Sequence, residues 1–175
     1  MPDHSSIDGN HWRLRVRFAL ALLLTGMISG SLSALFLVSL DRVTKWHGRH
    51  PWLLLMLPLA GLIIASLYQR WGALAGRGGH LLVEEMRVYK GIVPLRMAPM
   101  VLVTTLLTHL CGGSAGREGT AVQMGGAVSA WLARTFSLTP QRQRMLLMAG
   151  MAGGFGSVFG TPWAGGIFAV ELPVR

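Results

Sequence analysis

Long apolar runs separated by short polar segments make up most of the sequence. The runs Phe18–Leu40 and Pro51–Tyr68 contain no charged residue, and Met97–Ala115 and Met145–Val170 repeat this pattern after a polar central segment. As a helix, the first run reaches roughly 35 Å, which covers a hydrocarbon core of about 30 Å. The pattern therefore predicts an all-α, polytopic membrane protein.

Glycine and proline divide the apolar runs into shorter helices. After the first two spans we expect helices over residues 81–89, 97–110, 120–136, 139–158 and 162–170. Several of these are short for a full crossing, and "GTPW" interrupts the last run at depth. Broken helices are tolerated in a membrane only where they are buried in protein or line a wet cavity. Paired broken helices are typical of transporters.

The polar segments set the expected domain organisation. Residues 1–12 form a polar N-terminal tail, and residues 13–175 form one membrane domain. We expect Asp41–His50 to be a polar turn, and Glu84 to pair with Arg87 on the first short helix. A cleaved signal peptide is the alternative interpretation of the first run. That run is longer than the roughly 7–15 residues of a signal-peptide core, so we interpret it as a retained span.

The composition supports this class. Hydrophobic residues make up 51% and charged residues 13% of the chain, whereas about a quarter of residues are charged in soluble domains. A net charge of +9 would suggest nucleic acid in a soluble protein. Here the basic residues lie between the apolar runs, so we expect no nucleic-acid partner. Arg13, Arg15 and Arg17 precede the first span, which predicts a cell-membrane protein (plasma or inner membrane) with a cytoplasmic N-terminus.

Few residues offer catalytic or metal chemistry. Cys111 is the only cysteine, which excludes an intramolecular disulfide and a cysteine metal cluster. We expect no metal, no cofactor and no enzyme activity, since neither HExxH nor a serine–histidine pattern occurs. His109 lies inside an apolar run, where it either relays protons or hydrogen-bonds a neighbouring helix. Glu171 is interpreted as a helix-end carboxylate paired with a nearby base.

The stretch "CGGSAGREGT", residues 111–120, places charges and glycines between apolar segments. It leads into a helix, whose N-terminus offers free N–H groups and the positive end of a dipole, and so an anion site. Glu118 would compete with an anion there, and protonation would neutralise it and release the site. One residue could then couple proton and anion movement. The alternative is that Arg117 and Glu118 only cap the helix in an exposed loop.

These residues resemble a known family. "GREGT" followed by "VQMGG" resembles the GREGP-type motif of the CLC chloride channel and transporter family, and "AGMAGGFGSVFGTPWAGGIFAVE" is similar to a later family motif. The resemblance covers residues 12–172 and implies the first half of the CLC inverted-repeat fold. Thr120 in place of proline, together with the "GRGGHLL" loop, resembles the fluoride/proton antiporter branch most.

The resemblance implies site residues and partners. Glu118 matches the gating glutamate that accepts the proton. The anion-binding residues would be Gly116, Arg117, Gly119 and Thr120, with Gly79 and His80 from the second loop. The implied partners are fluoride or chloride, a proton and the lipid bilayer, with a homodimer if the protein is full length. Fluoride/proton antiport is the first choice of function, and a chloride channel or chloride/proton exchanger is the alternative.

The resemblance also marks what this chain does not contain. Family members are twice as long, and their second half supplies another broken helix and a tyrosine that contact the ion. Leu172 stands where many of these transporters have a second acidic residue. An alternative from another class is therefore a truncated, non-transporting membrane remnant, or a subunit that needs a partner half.

Overall fold

The computed structural model describes residues 5–88 and 90–171, with side chains from Trp12 onward. Within these residues the chain forms seven α-helices: α1 Ser5–Arg49, α2 Leu57–Trp71, α3 Gly79–Arg87, α4 Met97–Leu110, α5 Arg117–Thr135, α6 Pro140–Phe159 and α7 Pro162–Glu171. Short 3₁₀ helices cover Pro51–Met56 and Ala75–Arg77. No strand occurs in the described residues, and the all-α prediction is confirmed. Leu172 lies outside the described residues.

Helix α1 is longer than the expected span. It begins at Ser5, inside the expected polar tail, and continues to Arg49 through the segment predicted as a turn. That segment contains no proline, and Asp41 accepts a 2.6 Å hydrogen bond from Lys45 one turn later, a pairing that favours helix. The helix ends at Arg49 because His50 precedes Pro51 and leaves the helical region, with φ −131° and ψ 65°. The prediction of a polar turn was therefore wrong.

Among the described residues, two stretches are long and apolar enough to cross a membrane. They are Trp12–Arg49 in α1 and Pro51–Trp71, which joins a 3₁₀ helix to α2. Helix α4 is apolar but shorter. The expected break at "GTPW" is present, because Gly160 ends α6 in the left-handed region at φ 65° and Pro162 begins α7.

Helix α5 is the central element and packs against α1, α4 and α6. Its crossing with α6 is a contact of backbone on backbone. A Cβ placed on Gly125 would lie closer than 3.0 Å to the carbonyl oxygen of Gly150, and one on Gly154 equally close to that of Ala121. Only glycine permits this approach, which is how membrane helices commonly pack.

A buried carboxylate closes the segment between α3 and α4. Glu85 is 1% exposed, and its two oxygens accept backbone N–H bonds from Lys90, Gly91 and Ile92 at 2.9–3.2 Å. Arg134 of α5 donates to the Gly91 carbonyl at 3.1 Å. Glu85 therefore satisfies donors that the irregular segment would otherwise bury without partners.

The neighbouring Glu84 has other partners than expected. Its carboxylate accepts hydrogen bonds from Lys90 at 3.0 Å and Arg77 at 2.6 Å, not from Arg87. The predicted Glu84–Arg87 pair was wrong, because the turn before α3 brings Arg77 over the carboxylate. The hydrogen bonds from Lys90 and Arg77 lower the pKa of Glu84. Glu84 lies outside the membrane-spanning stretches, since the nine-residue helix α3 is too short to cross a membrane.

We expect Glu85→Gln to destabilise the fold by about 2 kcal/mol, because an amide N–H₂ would face backbone donors that now bind a carboxylate. The measurement is denaturant unfolding of the purified protein in detergent, followed by circular dichroism. Glu84→Gln, one residue away and half-exposed, is the matched control and should shift the transition far less. Equal shifts of the unfolding transition in the two variants would contradict the role assigned to Glu85 as acceptor for the backbone N–H groups of residues 90–92.

Candidate functional site

The site is built around the first turn of α5. Gly116 precedes the helix with φ −65° and ψ 123°, and the helix begins at Arg117 with Glu118 in its first turn. The first bond that closes the helix runs from Thr120 N–H to the Gly116 carbonyl at 3.4 Å. The N–H groups of residues 117–119 therefore have no intrahelical acceptor, and together with the helix dipole they favour an anion.

The loop before this turn is held by α1. Gly112 adopts φ 79°, and a Cβ placed on it would lie 2.5 Å from the His47 ring. The His47 Nδ1–H donates to the Leu110 carbonyl at 3.1 Å. The end of α1 thus caps the C-terminus of α4 and sets the path into the first turn of α5.

A cavity of about 620 Å³ opens beside the first turn of α5. Its wall combines α2, α4, α5 and the 3₁₀ helix before α3. The hydroxyl, amide and glycine residues of this wall are Tyr68, Gly76, Gly78, Thr104, Thr105, Thr108, Gly116, Gly119, Thr120 and Gln123. Ile64, Ala75, Val101 and Ala115 complete the wall. Two loops that are far apart in sequence therefore meet at one cavity, whose lining is partly polar and partly apolar.

Hydroxyl groups join α4 to α5 across this wall. The Thr120 hydroxyl donates to the Gly116 carbonyl at 3.0 Å, and it accepts from the Thr105 hydroxyl at 2.9 Å. Thr120 and Thr105 are both buried. Thr120 therefore stabilises the first turn of α5 and ties it to α4.

The predicted site residues divide into groups. Gly116, Gly119 and Thr120 line the large cavity. Glu118 is exposed, and its carboxylate folds back so that a Cβ on Gly116 would lie 3.3 Å from Oε2. Gly79 and His80 are exposed and lie outside the cavity wall, where their neighbour Gly78 is found instead.

Arg117 faces a second, smaller cavity. This space of about 320 Å³ lies between α1, α4 and α5 and is also lined by Asp41 and His109. The His109 Nδ1–H donates to the Thr105 carbonyl of its own helix at 2.9 Å. His109 thus bonds its own helix rather than a neighbouring one. Among the described residues, no three His, Cys, Asp or Glu side chains are grouped to hold a metal ion.

Several residues of this site are not predicted from the sequence, among them His47, Gly78 and Gln123. Gln123 follows Gly119 by one helical turn, so the motif already placed both on one face of α5. His47 carried no signal in the sequence, because its contact with Gly112 depends on how α1 crosses the loop.

Comparison with known proteins identifies relatives. Residues 60–175 match the family model described as voltage gated chloride channel. A chloride/fluoride channel protein of Pseudomonas syringae pv. tomato is 49% identical over 85% of this chain and 33% of its own length. The H(+)/Cl(-) exchange transporter ClcA of Yersinia pestis bv. Antiqua is 30% identical over 90% of this chain and 37% of its own. The chain thus spans about a third of the length of these curated relatives.

A solved structure gives the same result. The crystal structure of a CLC-type fluoride/proton antiporter superposes with a TM-score of 0.84 at 36% identity, covering 88% of this chain and 39% of that one. This likeness confirms the predicted fold, since the two structures superpose over most of this chain.

Proposed function

Because this chain belongs to the voltage-gated chloride channel (CLC) family of anion channels and transporters, we propose that it carries out fluoride/proton antiport across the cell membrane. One observation carries the proposal: Glu118 lies in the first turn of α5, beside N–H groups without intrahelical acceptors and next to the cavity lined by Gly116, Gly119 and Thr120. The 36% identical fluoride/proton antiporter structure supports the choice of ion.

The proposed mechanism is competition for one site. When ionised, the Glu118 carboxylate occupies the positive end of α5 and excludes a second anion. When protonated, it is neutral, leaves the N–H groups and admits fluoride from the cavity. Each proton accepted by Glu118 is then linked to one change in anion occupancy, so proton and fluoride movements are coupled.

Orientation and assembly complete the proposal. The proposed orientation has the N-terminus in the cytoplasm, which Arg13, Arg15 and Arg17 before the first apolar run support. The proposed assembly is a homodimer, which the family resemblance supports. Since the chain spans about a third of its relatives, the activity is proposed for the chain together with any further segment that encloses the cavity. The alternative from another class is a membrane subunit that binds a partner half and moves no ion itself.

The test is reconstitution into liposomes loaded with fluoride or chloride, with an ion-selective electrode outside and a pH dye inside. We expect fluoride release accompanied by proton uptake, and faster release of fluoride than of chloride. Faster chloride release would favour the alternative of a chloride channel or chloride/proton exchanger, which the similarity to the Yersinia exchange transporter supports. Release no faster than from loaded liposomes without protein would reject transport. The subunit alternative would then remain.

A further inference from the structure

Gln123 lies between the two loops that meet at the large cavity. It projects from α5, and its side-chain amide lies close to two glycines of the wall, Gly78 and Gly119. A Cβ placed on Gly78 would lie 3.7 Å from Nε2 and 3.8 Å from Oε1, and one on Gly119 would lie 3.9 Å from Nε2. The amide is therefore placed between the first turn of α5 and the loop before α3.

The other hydroxyl groups of this wall cannot donate to an anion without breaking an existing bond. Thr120 donates to Gly116, so the hydrogen between Thr105 and Thr120 comes from Thr105. A hydroxyl has one hydrogen to donate, and both are committed. These two side chains present only lone pairs to the cavity.

The remaining hydroxyls are committed in the same way. Thr108 donates to the Thr104 carbonyl at 2.8 Å. Thr104 donates to the Met100 carbonyl at 2.9 Å, so the hydrogen in its 3.4 Å contact with Tyr68 comes from the tyrosine. Lone pairs repel a halide, and the hydroxyl wall alone is therefore a poor anion site.

The Gln123 amide differs from these groups. It has two N–H donors, it is only partly buried, and no hydrogen bond in the described part of the chain uses it. Its polar atoms are not among the buried unpartnered ones, so they are accessible, and Gln123 lines the cavity. Among the polar side chains of this wall, Gln123 is the one whose hydrogen-bond donors are unused in the described part of the chain.

We propose that Gln123 is a halide ligand, whose amide N–H donates to the anion in the cavity between Gly78 and Gly119. The identity of the anion rests on the proposed function. A neutral donor suits this role, because it binds the anion without holding it as strongly as a cation would. Fluoride is smaller and more strongly hydrated than chloride, so it loses more when a donor is missing.

The test compares halide binding by variants of the purified chain in detergent, measured by titration calorimetry with sodium fluoride and sodium chloride. Gln123→Met keeps the length of the side chain but removes both donors. We expect fluoride binding to weaken by about 10- to 100-fold, the loss for one hydrogen bond to a charged group, and chloride binding to weaken less. Gln123→Asn, which keeps the amide, should bind better than Gln123→Met.

Gln141→Met is the matched control, since Gln141 is an exposed glutamine in the first turn of α6, and it should bind as the unchanged chain does. Equal fluoride affinity of Gln123→Met and the unchanged chain would overturn the proposal, as would no halide binding by the unchanged chain. If Gln123→Met melts earlier than the unchanged chain, a second variant, Gln123→Glu, decides. Glutamate has nearly the shape of glutamine, but its ionised carboxylate has no N–H donor. Retained fluoride affinity in Gln123→Glu would overturn the proposal. Halide binding that depends on Gln123 without release from liposomes would reject the proposed transport but keep the ligand.

Discussion

Replacing Glu118 by glutamine is expected to abolish proton uptake during fluoride release from liposomes. The amide has nearly the shape of the protonated carboxyl group, but it cannot gain or lose a proton. In the proposed mechanism the ionised carboxylate returns to the positive end of α5 and expels the anion, and glutamine lacks the charge for that step. Internal pH should then remain constant while the fluoride electrode reports the residual anion movement.

Glu171→Gln is the matched control for this experiment. Glu171 is also an exposed carboxylate at a helix end, the last residue of α7, but it lies outside the cavity wall. Its variant should keep the ratio of protons to fluoride of the unchanged protein. Unaltered proton-coupled export by Glu118→Gln would reject the role assigned to Glu118, whatever the control shows.

The largest effect on stability is expected from Gly154→Ala. A methyl group on Gly154 would meet the backbone of α5 at Ala121 and Val122, and backbone cannot rotate away as a flexible side chain can. The helices must separate, which loses contacts along the whole crossing. We expect the free energy of unfolding to fall by about 3 kcal/mol or more, measured by denaturant titration in detergent with circular dichroism.

The adjacent Gly153 provides the control for this substitution. A Cβ placed there meets nothing within 4 Å, although the residue lies in the same helix. Gly153→Ala should therefore be neutral or stabilise the protein by roughly 0.5–1 kcal/mol, the usual gain for alanine over glycine inside a helix. Similar losses in both variants would show that the crossing of α5 and α6 does not depend on a glycine contact.

Most of the secondary structure could be predicted from local sequence signals. The expected helix over residues 97–110 matches α4, and Pro140 and Pro162 begin α6 and α7 as their place in the sequence suggests. The sequence predicts the start of α5 three residues late, at residue 120 instead of Arg117. The glycines in "GREGT" do not favour a helix, but the Thr120 side chain stabilises this first turn by its bond to Gly116. The polarity of Asp41–His50 predicts a turn, but polar residues are equally compatible with an exposed helix, and α1 continues through them to Arg49.

The candidate site was predictable only in part. The motif around Glu118 identified one wall of the cavity, since a helix N-terminus is recognisable from its own residues. The sequence predicts the opposite wall at Gly79 and His80, whereas the structure has Gly78 there. Gly78 adopts φ 56°, and the loop conformation that follows decides which of three neighbouring residues faces the cavity.

By itself the sequence determined the membrane class, the order of helices and breaks, and the chemistry available at Glu118, because hydropathy, proline and glycine act within a few residues. Tertiary structure alone decided which partners those residues meet. The contact of Gly125 with Gly150, the ring of His47 over Gly112 and the position of Gln123 between Gly78 and Gly119 all depend on how helices cross. A crossing joins residues that are distant in sequence, so no local pattern encodes the geometry of the cavity.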